Sequence, residues 1–215
     1  MGSIRDPRHL AVRVGGIVLA GGGSRRMGQP KAWLPVGEER MLQRVVRILQ
    51  EVVDPVVVVA APGQDLPDLP DSVEVIRDPV ADRGPVQGLA AGLEALSDHA
   101  DSAYASSCDV PLLRPGFVRH LIGQLGDHDA AVPRENDRIH PLSAVYSTSV
   151  LPIAEGMLEE DCLRLSLLPE RCRTRFVDVE ALGAADPDLR SLRNVNTPET
   201  YRAALEVLER EGGGP

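Results

Sequence analysis

Between Gly21 and Lys31 the chain reads Gly21-Gly-Gly-Ser-Arg-Arg-Met-Gly28-Gln-Pro-Lys31. Backbone amides relieved of side chains can close on phosphate oxygens, and Arg25, Arg26 and Lys31 add positive charge within a few residues, so the run suits a triphosphate. It is not a Walker loop, because Gln29 follows Gly28 where a lysine is required. It is not the dinucleotide fingerprint either, because Arg26 stands where the last glycine belongs. The alternative is a plain strand-to-helix turn carrying solvated arginines, and residues elsewhere must decide.

Asp109 is the next candidate. Val110-Pro111 follows it and favours extended backbone, and a carboxylate there can hold Mg²⁺, which needs only one or two protein carboxylates beside phosphate and water. Asp78, in Arg77-Asp-Pro79, is a second carboxylate at a strand end. Gly84 and Gly88 flank a helix start bearing Pro85, where a ligand can approach outward-pointing amides; packing through small residues is the other reading, since Ala90, Ala91 and Gly92 follow. Asn194 and Asn196 alternate around Val195, which places both amides on one side of an extended segment. Arg134, Arg138 and His140 form one positive patch, and Arg164, Arg171, Arg173 and Arg175 another; either can take an anionic acceptor. No histidine is spaced to activate a Ser or Cys nucleophile, and Cys108 reads as a buried strand-end residue.

The elements that carry these residues alternate. Gly16–Ala20, Pro55–Ala61, Val73–Ile76 and Ser102–Ser106 are short apolar runs of buried-strand type, with weaker candidates at 130–132, 142–146 and 176–179. Met41, Val45, Ile48, Leu49 and Val52 mark one helix face, and Val86, Leu89, Ala90, Leu93 and Leu96 a second. Pro115 opens a third helix, with Phe117, Val118, Leu121, Ile122 and Leu125 on its face, and Thr197-Pro198-Glu199 opens the last. The stretch from 180 to 192 reads as a loop. This order predicts a single-domain, three-layer α/β/α sandwich on a mostly parallel sheet, with a polar arm over 1–14, the domain over 15–210 and a flexible tail over 211–215. In such a sheet ligands bind beyond the carboxyl ends of the strands, where the loops above fall.

With 215 residues the chain is one α/β-sized domain, and a net charge of −9 speaks against a general grip on nucleic acid or anionic membrane. Only 3% of residues are aromatic, too few to stack single-stranded bases. The three cysteines are scattered, without disulfide or zinc spacing, which fits a reducing cytoplasm. No stretch approaches the roughly 18 apolar residues of a membrane span, and no signal peptide opens the chain.

The loop Leu19-Ala-Gly-Gly-Gly-Ser-Arg-Arg-Met-Gly-Gln-Pro-Lys31 resembles the opening signature of the MobA-like nucleotidyltransferases, the molybdenum cofactor guanylyltransferase family. Further matches fall in that family's order: Asp78 ahead of Gly84-Pro-Val-Gln-Gly88, Asp109-Val-Pro111, His140-Pro-Leu142 and Asn194-Val-Asn-Thr-Pro-Glu199. The likeness covers roughly residues 15–210. Two departures are Gly-Pro-Val-Gln-Gly in place of Gly-Pro-Leu-Ala-Gly, and Ala60 or Ala61 where an Asn often follows the second strand.

The resemblance implies a Rossmann-like nucleotidyltransferase that moves GMP from GTP to molybdopterin and releases pyrophosphate, with Mg²⁺ as cofactor on Asp109. It implies catalytic roles for Asp109, Lys31 and Arg26. Nucleotide contacts fall to Leu19, Ala20, Gly21, Gly22, Gly23, Ser24, Arg25, Lys31, Asp78, Gly84, Gly88, Asp109, Asn194 and Asn196, with Asp78 toward the ribose or a metal-bound water and Arg164 toward an anionic acceptor. Partners would be GTP, the pterin acceptor and molybdoenzyme-maturation proteins, in the cytoplasm. A cytidylyltransferase, a guanylyltransferase for another phosphorylated acceptor, and an idle nucleotide-binding protein are the rival readings; Gly21-Gly22 in place of Ala-Gly leans toward guanine.

Overall fold

The computed structural model describes residues 12–21, 27–78, 80 and 83–212. In chain order the elements are β1 (Val14–Leu19), the small hairpin β2 (Pro35–Val36) and β3 (Glu39–Arg40), α1 (Met41–Gln50), β4 (Val56–Ala60), β5 (Val73–Arg77), α2 (Gly84–Leu96), β6 (Ser102–Ser107) and α3 (Pro115–Ile122). There follow β7 (Ala130–Glu135), β8 (Arg138–Ile139), β9 (Ser143–Ser147), α4 (Leu151–Glu159), β10 (Thr174–Asp178), α5 (Val179–Leu182) and α6 (Pro198–Gly212).

The main sheet runs β10-β7-β9-β6-β1-β4-β5, with β8 added on β7. β1 pairs in parallel with β4 and β6, β4 with β5 and β10 with β7, while β9 runs antiparallel to both β6 and β7. The sheet is therefore mostly parallel, as expected. One reversed strand brings the chain back across the carboxyl edge: Ser143 opposes Ser106, so His140-Pro-Leu142 lies just past the end of β6.

Side-chain alternation sorts the core into two layers. Val18, Val56 and Val58 face α1 and α3, joined by Tyr104 and Phe117. Ile17, Leu19, Val57 and Val59 face α2 and α4, joined by Leu89, Leu93 and Tyr146. α2 approaches closely because a Cβ on Gly92 would lie 2.6 Å from Ile17 Cγ2 and one on Gly88 3.1 Å from Leu19 Cδ2. A third cluster of Leu34, Val36, Met41, Leu112, Val195 and Ala204 seats α6 beside the small hairpin.

Several boundaries differ from expectation. Val14 already belongs to β1, and residues 1–11 of the expected arm lie outside the described residues. α1 and α3 stop before Val52 and Leu125, where the chain turns. The expected loop over 180–192 contains α5 and a 3₁₀ turn at Arg190–Leu192, because Val179, Leu182 and Leu192 are drawn into the core. α4 carried no clear sequence signal: only Ala154 and Met157 are buried. α6 continues through Gly212, so Glu211 of the expected tail is helical, and 213–215 lie outside the described residues.

Candidate active site

The carboxyl ends of β1 and β6 lie side by side, Leu19 opposite Ser107. Two residues beyond β6, Asp109 is nearly buried and fully engaged. Oδ1 accepts from Ser107 Oγ at 2.5 Å and from Asn194 Nδ2 at 2.8 Å, while Oδ2 accepts from Lys31 Nζ at 2.7 Å. Lys31 Nζ also donates to Asn196 Oδ1 at 2.7 Å. One ammonium thus bridges a carboxylate and a carboxamide oxygen, so that three distant parts of the chain meet.

The alternation around Val195 is what brings the two amides here. Val195 is buried and its N–H donates to the Asp109 carbonyl at 2.8 Å, so its neighbours Asn194 and Asn196 both turn to the crevice. The segment is extended but joins no strand of the sheet. It is held from behind: Ser191 N donates to Asp186 Oδ2 at 2.7 Å, and Ser191 Oγ accepts from Arg114 N at 3.1 Å. Asp186 is fully buried, and its Oδ1 lies 3.6 Å from Arg114 Nε, a charge contact rather than a hydrogen bond. From the other side Arg44 Nε donates to the Pro111 carbonyl at 2.8 Å. Ser107, Asp186 and Ser191 were not foreseen; the hydroxyl two residues before Asp109 was the one readable signal among them.

Asp78 follows β5, its N–H donating to the Ala60 carbonyl at 2.8 Å. Among the described residues its Oδ1 is buried without a hydrogen-bond partner, and desolvation raises the carboxyl pKa against the opposing Val80 backbone N–H. Three strand spacings, about 14 Å, separate the ends of β5 and β6. Asp78 and Asp109 therefore make no common contact, and only a ligand as long as a nucleotide reaches both.

Between them Gln64 closes the edge. Its Oε1 accepts from Ala61 N at 3.0 Å and its Nε2 donates to the Ala20 carbonyl at 2.9 Å, so a carboxamide does stand beside Ala60 and Ala61, supplied three residues later. Leu19 and Ala20 are buried with their backbone engaged: the Leu19 carbonyl accepts from Cys108 N and Ala20 N donates to Val59. Gly21 is exposed at the mouth. Gly22, Gly23, Ser24, Arg25 and Arg26 lie outside the described residues.

Gly84 opens α2 with φ +69°, a conformation that favours glycine, and a Cβ there would lie 3.3 Å from the Leu163 carbonyl. This contact sets the exposed Arg164 close to the helix start. Gly88 is turned to Leu19, which gives it a packing role. Of the other arginines, Arg134 pairs with Asp178, Arg171 with Glu160 and Arg173 with Asp129, so these belong to surface ion pairs. Cys108 is buried, and burial with the nearby Asp109 charge pushes its thiol pKa up to about 12, which removes it as a nucleophile.

Among the described residues no group of three or more His, Cys, Asp and Glu side chains is placed to hold a metal. Asp109 Oδ2 and Asn196 Oδ1, both 2.7 Å from the Lys31 ammonium, nevertheless form an all-oxygen seat around a positive charge. These oxygen donors are of the kind Mg²⁺ takes, but Lys31 fills them here; a Mg²⁺ on Asp109 would require the ammonium to turn toward the phosphates and would draw its remaining ligands from phosphate and water.

The MobA-like NTP transferase domain model matches residues 16–172. The chain belongs to that family. This MobA-like chain is 35% identical over 205 residues to a Pelotomaculum thermopropionicum protein described as "Probable molybdenum cofactor guanylyltransferase", covering 93% of this chain and 95% of that one. It is 35% identical over 198 residues to the molybdenum cofactor guanylyltransferase of Desulfosudis oleivorans, covering 91% and 96%. The MobA-like fold recurs in the crystal structure of molybdopterin-guanine dinucleotide biosynthesis protein A from Archaeoglobus fulgidus, with a TM-score of 0.75 at 24% identity over 91% of this chain and 99% of that one. The protein is a nucleotidyltransferase of the MobA-like family, related to the molybdenum cofactor guanylyltransferases. No helix among the described residues is long and apolar enough to cross a membrane.

Proposed function

We propose that the protein transfers GMP from GTP to the phosphate of molybdopterin and releases pyrophosphate. The observation that carries this reading is the Lys31 ammonium shared between Asp109 and Asn196 at the mouth of β1 and β6, directly after the glycine loop. Guanylyltransferase relatives along nearly the whole chain support the choice of nucleotide and acceptor. Mg²⁺ held by Asp109, with Asn196 alongside, would supply charge neutralisation at the phosphates.

A phosphate monoester is mostly ionised near neutral pH, so the nucleophile needs placement and charge cancellation rather than a base. An acceptor phosphate oxygen forms a bond to the α-phosphorus, the bond from that phosphorus to the β-bridging oxygen breaks, and its electron pair leaves with pyrophosphate. Lys31 neutralises the β- and γ-phosphates, with Arg26 and the amides of Gly21 to Arg25 lining the same groups. Asn194 holds Asp109 by its Oδ1, while Oδ2 pairs with Lys31 and fixes the ammonium at the site. Asp78 orients the ribose and Arg164 meets the acceptor phosphate. The cytoplasm is the compartment, and the pterin passes onward to molybdoenzyme-maturation proteins.

Thermal shift with GTP, ATP, CTP and UTP, each with and without Mg²⁺, ranks the donors, since a ligand at about 100 times its Kd stabilises by about 2.7 kcal/mol. GTP with Mg²⁺ gives the largest shift, and GTP with molybdopterin the fastest pyrophosphate release. Faster release from CTP would overturn the guanine assignment; no release from any triphosphate would leave a nucleotide-binding protein.

A further inference from the structure

Beyond Leu19 and Val59 the ladder between β1 and β4 breaks its own rhythm. Rungs of a parallel pair are evenly spaced. Gly16 N donates to the Pro55 carbonyl and Ala20 N to that of Val59, both at 2.8 Å, so the next rung would run from Ala61 N to the Ala20 carbonyl. A side chain occupies that rung instead. Gln64 Oε1 accepts from Ala61 N at 3.0 Å, and Gln64 Nε2 donates to the Ala20 carbonyl at 2.9 Å. The carboxamide is a wedge between the carboxyl ends of the two strands.

The turn that delivers it is local. Ala61-Pro62-Gly63-Gln64 has Gly63 at φ +67° and Gln64 N donating to the Ala61 carbonyl at 3.1 Å, the pattern of a type II turn with proline and glycine in their preferred places. Arg77 Nη1 donates to the Gln64 carbonyl at 2.6 Å, and Trp33 Nε1 to the Asp65 carbonyl at 3.1 Å, so the loop is pinned both from β5 and from just beyond Lys31.

The two backbone partners also decide which way the carboxamide faces. Turned round, its NH₂ would meet the Ala61 N–H and its oxygen the Ala20 carbonyl, two donors on one side and two acceptors on the other. One N–H of Nε2 and one lone pair of Oε1 stay unused among the described residues, the donor on the β1 side and the acceptor on the β4 side. Gln64 is half-buried, and β1 and β4 stand between the strands that lead to Asp109 and Asp78. A nucleotide reaching from one carboxylate to the other crosses it.

We propose that Gln64 determines which base the crevice accepts, its spare N–H meeting O6 of guanine and its spare lone pair the N1–H. The assignment deepens the transferase reading and rests on it for the identity of the base. Adenine presents an amino donor in place of O6 and a bare nitrogen in place of N1–H, so it requires the opposite order. A freely turning glutamine suits either purine; one locked by Ala61 and Ala20 does not. Discrimination then comes from a rung of the sheet ladder, with no steric wall needed.

Titration calorimetry of the full chain with the Mg²⁺ complexes of GTP, ITP and ATP, and with tripolyphosphate, which has no base, tests this. Wild type binds GTP about tenfold more tightly than ATP, and ITP, which keeps O6 and N1–H without the 2-amino group, ranks with GTP. Gln64→Leu removes both spare groups and Gln64→Glu the donor; each brings GTP and ATP to within about threefold of one another, while tripolyphosphate binds as before. Melting of the ligand-free variants checks that both are folded. A wild type that does not distinguish GTP from ATP, ITP ranking with ATP, or variants that keep the wild-type ratio would each overturn the assignment. Equal weakening of every nucleotide with tripolyphosphate unchanged would put Gln64 on the ribose, and a loss that includes tripolyphosphate would make it a brace of the loop; either overturns it as well. Pyrophosphate release from GTP and molybdopterin is followed in parallel. Release by variants that keep the wild-type ratio leaves the transferase reading standing without Gln64 as base reader. A ratio that collapses in the variants, with no release by the wild type, overturns the transferase reading and keeps Gln64 as the base reader of a nucleotide-binding protein. Binding of no triphosphate by the wild type overturns both.

Discussion

Asp109→Asn separates the chemistry of the site from its architecture. The carboxamide matches the carboxylate in volume but offers one acceptor oxygen and one NH₂. With the NH₂ toward Lys31, two donors meet where the ion pair stood at 2.7 Å; turned round, the NH₂ faces Asn194 Nδ2 across 2.8 Å. Either orientation forfeits one charge-assisted bond, worth about 1.5–3 kcal/mol. The lower end applies, because 18% of the Lys31 side chain and 12% of that of Asp109 remain open to water. At about 2–4 °C per kcal/mol for a chain of this size, a loss of about 1.5 kcal/mol lowers Tm by about 3–6 °C. Turnover suffers more, by about 10²–10³-fold, the usual cost of removing one preorganised electrostatic group from the transition state. At 25 °C the variant is therefore folded and nearly inactive. Mg²⁺-dependent pyrophosphate release and differential scanning calorimetry on the same preparation measure both quantities. Turnover within a few-fold of wild type, with Tm lowered as calculated, would refute the catalytic role and leave Asp109 as a structural anchor.

Lys31→Ala weakens GTP binding more than GMP binding, since Lys31 acts beyond the α-phosphate; equal losses in paired titrations would place it elsewhere on the ligand. Burial lowers the His140 pKa, aided by the Arg138 charge and opposed by Glu135. The unfolded chain then binds the proton more readily, so the stability His140 contributes is whole above its unfolded value of about 6.5 and is lost as pH falls from there through the lowered folded value. His140→Gln flattens the decline of Tm between those values, and parallel Tm profiles for the two proteins would contradict this. Gly92→Ala drives a Cβ to 2.6 Å from Ile17 Cγ2, an overpacking cost of about 1–3 kcal/mol only partly offset by about 1 kcal/mol of helix propensity. Gly88→Ala, against the rotatable end of Leu19 at 3.1 Å, is milder; a higher Tm for Gly92→Ala than for wild type would sink the argument.

What could be read in the sequence follows from what each signal depends on. The valines of β4 and the helix face from Met41 to Leu49 are statements about burial, and burial has a period. Asp109, Lys31, Asn194 and Asn196 stood out through motif chemistry, and they converge. α4 did not stand out, because Pro152 reads as a break and its buried stripe is two residues wide. The wrongly assigned loop over 180–192 illustrates the same limit, since Val179 and Leu182 bury against elements far away in sequence. Charge clusters say nothing about pairing: within the arginine patches Arg134, Arg171 and Arg173 each meet a carboxylate that sequence spacing does not reveal. Gln64 was passed over because an amide was sought at position 60 or 61, whereas the turn after β4 carries it back to the same place.

The site is a junction between two chain segments that must arrive in register, and the fold spends buried polar groups to ensure it. Residues 109–114 leave β6, and residues 186–196 approach α6 from the opposite direction. Val195 N to Asp109 O, Arg114 N to Ser191 Oγ and the Asp186 contacts tie the two together in ladder fashion. Glu211 extends the ladder to the last turn of α6, its Oε1 lying 2.5 Å from both Arg114 Nη2 and Arg190 Nη1. Individually such exposed pairs contribute little. Their placement matters because Arg114 also contacts Ser191 and Asp186, so the end of α6 is coupled through Arg114, and directly through Arg190, to the segment that delivers Asn194 and Asn196. A site assembled from Lys31, Asp109 and Asn196 has no single element to make it rigid, and the bracing between its loops takes that part.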